Sequence, residues 1–279
     1  MSFYKREGVM NMINKVFDLL QKEMPEPAAF GWFHCMWIGF MIIAIIGLYL
    51  QRKKHSEKQL KWVLGVYGIT ALVLETLKQL SWSYNMDDMT KSIVWDYQWY
   101  AFPFQLCTTP IFVCIISLFL KKGKVRDSLF SYMAFFTILG SISTILIPDS
   151  CLINDILVNI HTMWLHLGSF VVSVYLLMTG EISIDFTALK RAFSVFVMFV
   201  CIANGLNLFV YNAGVLNGET FNMFYISPYF NSSLPVFDMI QPKVPYLFYL
   251  LVYIVALLLG ASLIWCVAKL IQRATAKKV

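Results

Sequence analysis

Apolar residues in this chain neither alternate nor form a narrow stripe; they run together. Runs of about 20, the length that crosses a hydrocarbon core of about 30 Å, recur along the whole chain. Seven are read: 30–50, 60–82, 100–120, 127–147, 156–178, 192–211 and 245–271. In lipid the backbone must satisfy its own hydrogen bonds, so each run is predicted as a helix. The predicted fold class is all-α: a polytopic membrane protein with about seven transmembrane helices. Residues 30–279 read as one transmembrane domain, because the polar stretches between the runs are too short for a soluble one.

Two segments depart from the pattern. Within residues 1–29, Val9, Met12, Ile13, Val16, Phe17 and Leu20 recur at helical spacing between polar residues. This predicts an amphipathic helix, lying on the membrane surface or packed over the bundle mouth, that ends at Pro25 and Pro27. Residues 212–243 hold Gly214, Gly218, Pro228, Pro235 and Pro242 with an aromatic cluster at Phe221, Phe224, Tyr225, Tyr229 and Phe230. A connection this long is seldom idle, and it is expected to fold back over an outer cavity as a lid or re-entrant element.

Charge adds direction. Of the 22 Lys and Arg, fifteen fall on one side of the predicted bundle and six on the other, with Lys78 inside a span. The positive-inside rule therefore puts the N-terminus outside and the C-terminus in the cytoplasm, in a multi-pass protein of the cell membrane. The net charge of +6 follows from this bias. It does not read as a nucleic-acid footprint, so membrane lipids are the expected partners. Five of the six cysteines lie within predicted spans and only Cys151 in an outer loop, which excludes a disulfide framework. No metal or cofactor motif is present: HExxH is absent, and His161 and His166 are five apart, about 140° around a helix.

Orientation then assigns depth. Glu75, Lys78 and Gln79, then Gln105, Cys107, Thr108 and Thr109, then His161 and His166, then Asn204 and Asn207, all fall in outer halves of spans. The inner halves are almost purely apolar. A charge at the bilayer centre costs about 2.5–3.5 kcal/mol on the insertion scale, so such groups face the bundle interior or water. Glu75 and Lys78, three apart, share a helix face and can neutralise each other. A polar cavity open to the outer leaflet accounts for the whole set. In "FPFQLCTTPIF", 102–112, Pro103 suits a first helical turn, whereas Pro110 removes a donor within the helix. A thiol beside such a break is open to activation by a nearby histidine.

Four stretches in order, "ETLKQLSW", "FPFQLC", "HLGSFVVSVYLL" and "FNMFYISP", resemble the YwaF-like family of integral membrane proteins, from the second span to the seventh. The resemblance marks Glu75 and Lys78, Pro103, Gln105 and Cys107, His166, and Asn222 and Pro228 as family positions. A eukaryotic relative in the wider family transfers fatty acyl groups between ether phospholipids through a cysteine, which implies a lipid acyltransferase here. In that relative the cysteine directly follows the motif proline and precedes a histidine; this chain has Phe104 and Gln105 there, and its nearest thiol is Cys107. The expectation is Cys107 as nucleophile and His166 as general base, with Glu75, Lys78, Gln105, Asn207 and Asn222 binding substrate and no cofactor. The alternative is a transporter or a lipid- or small-molecule-binding protein that uses Glu75 and Lys78 without catalysis.

Overall fold

The computed structural model describes residues 12–86, 93–148 and 151–276. Val9 of the predicted amphipathic helix and Lys5, Arg6, Lys91, Lys277 and Lys278 of the charge bias lie outside them. Residues 12–20 form α1. Among the described residues, six helices are long and apolar enough to cross a membrane. They are α2 (Trp32–Gln51), α3 (Glu57–Ser83), α5 (Lys124–Leu146), α6 (Ile156–Met178), α7 (Phe186–Asn212) and α8 (Tyr246–Ala276). The shorter apolar helix α4 (Thr109–Phe119) makes the seventh element. The only sheet among the described residues is a hairpin of two three-residue strands, β1 (Tyr84–Met86) and β2 (Ile93–Trp95). The protein is all-α and multi-pass, as the apolar runs require.

Side-chain caps start the helices where the polar linkers end. Ser56 accepts from the Gln59 amide at the head of α3. Asp155 does the same from Val158 for α6, and Asp185 from Ala188 for α7. Inside α5 the backbone widens into a π-helical turn at Met133–Thr137, wholly buried against its neighbours. Such turns reset which residues face which helix. The core around it is aromatic: Phe136 stacks on Phe196 at 4.5 Å, and Tyr132 on Phe136 at 5.8 Å.

One prediction fails locally. The third run was read as helical from Tyr100, but regular helix begins only at Thr109. Residues 99–101 form a single tight turn and 102–108 are irregular. Pro110 therefore stands in the first turn of α4 instead of breaking it, where its missing N–H costs nothing. The Thr108 hydroxyl accepts from the Gln105 amide at 2.8 Å and donates to the Gln105 carbonyl at 2.9 Å, standing in for helical bonds.

The two ends of the bundle differ. At the mouth, α1 packs across the top of α3: Phe17 stacks on Tyr84 at 3.7 Å, and Gln21 donates to the Ser81 and Tyr84 carbonyls. The chain then bridges to the loop before α6 through Met24 to Asn154 and Ile156 to Lys22. Met12, Val16 and Leu19 point outward. At the base, Arg126 is 2% exposed and forks between Glu57 (2.6 Å) and Glu181 (3.1 Å). Glu181 also meets His55 at 2.7 Å, and His55 reaches the Tyr175 hydroxyl at 2.9 Å. This ion cluster ties α3, α5 and α6 together through the loop regions, at the end the sequence had shown as apolar spans flanked by basic anchors.

Candidate functional site

The polar residues near the mouth converge. Glu75 and Lys78 sit one turn apart on α3, buried at 3% and 8% exposure. Lys78 Nζ lies 2.7 Å from Glu75 Oε1, and Gln79 Nε2 donates to the same oxygen at 2.8 Å. Gln79 also holds the Ala101 carbonyl, which pins the irregular segment ahead of α4 to α3. From α6, His161 brings Nε2 to 2.7 Å from Glu75 Oε2, although the two are not aligned as a hydrogen bond. One carboxylate thus gathers an ammonium, an amide and an imidazole.

Cys107 is partly buried just above α4, within electrostatic reach of Lys78 and Glu75. Above the cluster, Tyr97 lies in the loop after β2. Burial first, then the charges of Glu75 and Glu219, push its hydroxyl up to about 12, so it stays a proton donor. Glu219 in turn accepts from the Trp99 amide at 2.8 Å, linking this loop to the long connection between α7 and α8.

That connection is folded into the bundle. Phe221, Met223, Phe224, Ile226 and Ser227 have no exposed surface. Their backbone groups, which hydrocarbon would leave unpaired, are taken up by side chains from four directions. Gln105 donates to the Asn222 carbonyl at 2.9 Å and accepts from the Phe224 amide at 2.7 Å. Asn207 of α7 closes a matching pair on Met223, at 3.0 and 2.7 Å. Asn222 turns back on its own loop, to the Phe230 and Asn231 carbonyls and the Ser227 amide. Tyr249 and Tyr246 of α8 donate to the carbonyls of Tyr225 and Ile226. This lattice holds two consecutive residues, Phe224 and Tyr225, at φ 57°, a conformation costing about 1–3 kcal/mol each without glycine. Tyr225 lies within electrostatic reach of Cys107.

The matching family profile, that of the TMEM164 family, covers residues 29–265, from the head of α2 to the last turns of α8. The chain belongs to the TMEM164 family. Neither a curated protein nor a solved structure matches it.

For this TMEM164-family chain, the geometry sorts the residues singled out in the sequence. Glu75 and Lys78 meet as their spacing predicted. Gln105, Asn207 and Asn222 all contact the 222–227 loop and spend their amides on its backbone. His166 directs Nδ1 to the Thr144 hydroxyl at 3.0 Å, and among the described residues no hydrogen bond joins it to Cys107. The imidazole on Glu75 belongs to His161, not to His166, the expected general base. Its signal was legible only in part: helical spacing separates the two histidines by about 140°, but the rotation of α6 decides which faces inward. Tyr97 gave no sequence signal. Among the described residues, no group of three or more His, Cys, Asp or Glu is arranged to hold a metal ion.

Proposed function

We propose that this protein is a membrane-embedded lipid acyltransferase whose reaction centre is the mouth cluster of Glu75, Lys78 and His161 with Cys107. The observation that carries the reading is a buried Glu75–Lys78 ion pair with an imidazole on its carboxylate, within electrostatic reach of the Cys107 thiol in a membrane-spanning bundle, where an idle charge is costly. In this reading the positive-inside bias places the mouth at the outer leaflet of the cell membrane.

The chemistry runs in two balanced halves. The Glu75–His161 couple takes the Cys107 proton, and the thiolate attacks an ester carbonyl of a phospholipid. The C–S bond forms, the C–O bond breaks, and the departing alkoxide leaves as a lysolipid with the proton held by the couple. A second lipid hydroxyl then gives its proton to the couple and attacks the thioester. A C–O bond forms, the C–S bond breaks, and the released thiolate takes the proton back from the couple. His161 takes the general-base role first assigned to His166, which supports α6 from Thr144. Lys78 and the Tyr97 hydroxyl supply positive charge and a hydrogen-bond donor for the oxyanion. Gln105, Asn207 and Asn222 act on substrate indirectly, by fixing the loop that walls the centre.

The test is intact mass spectrometry of protein extracted gently from its native membrane, with and without hydroxylamine, beside Cys107→Ser. An acyl mass that hydroxylamine removes, that the variant lacks and that added lysophospholipid discharges supports the reading. His161→Gln is expected to slow discharge by about 10²-fold or more. An unmodified wild-type mass, with the same cellular lipid profile in wild type and variant, overturns it. That outcome favours binding or transport at Glu75 and Lys78, whose pairing does not need the thiol.

A further inference from the structure

A second feature lies apart from the mouth cluster. α2 and α3 both pack on α6 but touch each other little, leaving a groove of about 350 Å³ between them. It extends from Trp37 to Gln51, fourteen residues of α2 or about 21 Å, longer than the roughly 15 Å half-thickness of a hydrocarbon core. Its rim carries the exposed side chains of Phe40, Trp62 and Val66, so it opens sideways where these helices face the membrane. Small residues hollow it: Ala44, Gly47 and Gly168 line the walls. A Cβ at Gly168 would stand 2.8 Å from the Tyr67 ring, whereas one at Gly47 meets nothing within 4 Å.

Two polar atoms at the mouth end of the groove lack work. The indole nitrogens of Trp37 and Trp164 are buried and, among the described residues, have no hydrogen-bond partner. The rings sit edge to face at 6.4 Å, and both line the groove. An N–H shielded from water without an acceptor is unfavourable; both are closed off from the groove as well, so an acceptor in it reaches them when the rings turn toward it. No charged side chain lines the groove among the described residues, so the acceptor is neutral. A free carboxylate would lie there without a counter-ion.

We propose that the groove is a binding site for one acyl chain of a membrane phospholipid. The ester carbonyl is received by the Trp37 and Trp164 indoles, and the chain runs down to Gly47 and Gln51. The volume lies at the low end for ligand sites and suits one chain, leaving the lipid's second chain in the bilayer. Because the groove ends at Gln51 and Gly47 leaves its lower part open, it measures chain length. The site stands whether or not Cys107 reacts. If the acyltransferase reading holds as well, Tyr67 is the partition between the two: it lines the groove, and its hydroxyl donates to the Leu165 carbonyl within electrostatic reach of Cys107.

The experiment uses the full chain in lipid nanodiscs and two photoreactive lysophospholipids, one lauroyl and one stearoyl, each with a diazirine at the chain end. Crosslinked peptides are mapped, and affinity is read by competition with unlabelled lysophospholipid. Stearoyl label is expected on α2 and α6 around Gly47 and Val171. Gly47→Phe is expected to weaken the stearoyl probe about tenfold and leave the lauroyl probe unchanged. Gly39→Phe, at a position equally free of neighbours and outside the groove, is the matched control and is expected to change neither. Trp37→Phe with Trp164→Phe is expected to weaken both probes about two- to tenfold, the value of the lost hydrogen bonds. Stearate as free acid is expected to compete poorly. Label spread evenly over lipid-facing helices, α8 included, or equal losses from Gly47→Phe and Gly39→Phe, overturns the proposal. An unmodified wild-type mass with these crosslinks intact marks failure of the catalytic reading alone, and a Cys107 thioester without them marks failure of this one.

Discussion

Replacing Glu75 by glutamine removes one charge from a group of three and strands another. Glu75 and Lys78 meet at 2.7 Å, where at an effective dielectric of about 20 the attraction is roughly 6 kcal/mol before desolvation is subtracted. Breaking a buried pair from one side costs about 3–5 kcal/mol, because the remaining charge stays buried. The two halves are not equivalent. Without Lys78, the carboxylate still has Gln79 and His161. Without Glu75, the described partner left to Lys78 is the Trp82 ring, 5.7 Å away. Glu75→Gln is therefore expected to cost more than Lys78→Met. The double variant, which leaves no charge of this pair to strand, should recover at least about 2 kcal/mol relative to Glu75→Gln alone. Reversible unfolding in mixed micelles with a graded denaturing detergent gives all three values. Additive losses in the double variant, or a Glu75→Gln protein as stable as wild type, would refute the view that this pair is buried and coupled.

Two further outcomes follow from the same physical reasoning. At the base, Arg126→Met is expected to cost about 3 kcal/mol, the low end for a broken buried pair, since Glu181 keeps His55. Glu57→Gln should cost under about 1 kcal/mol, because the Glu57 side chain is 44% exposed; equal costs in the same unfolding assay would contradict the burial difference. Asn207→Ala orphans the amide and carbonyl of Met223, at about 1–3 kcal/mol for each group. It should open 212–243 to limited proteolysis that wild type resists, and rapid cutting of wild type in this loop would refute its anchoring.

The membrane-spanning helices were legible because hydrocarbon imposes one rule on every backbone it surrounds, and a run of apolar residues is that rule written down. The Glu75–Lys78 contact was legible for a similar reason, since helical spacing alone brings the two together. Partners set by helix rotation were not: whether His161 or His166 faces Glu75 depends on how α6 rolls against α3. Partners distant in sequence were hidden too. Arg126 and Glu181 are 55 residues apart and His55 and Glu181 are 126, and each alone reads as an ordinary charge at a helix end. The irregular start of the third segment was half legible. Pro103, Gln105, Thr108 and Pro110 signalled a disturbance, but not that Gln105 serves a loop more than a hundred residues later.

That last contact bears on how the protein is made. The helix α4 has 11 residues, about 16 Å, and so covers only half of a 30 Å core. The rest of that segment is the tight turn at 99–101 and the irregular residues 102–108, with Gln105 bound to residues 222 and 224, which are 117 and 119 positions downstream. When the ribosome delivers the third segment, the loop that completes its setting has not been synthesised. The contacts that complete the setting of residues 102–108 therefore form only after α7 and the loop after it have emerged.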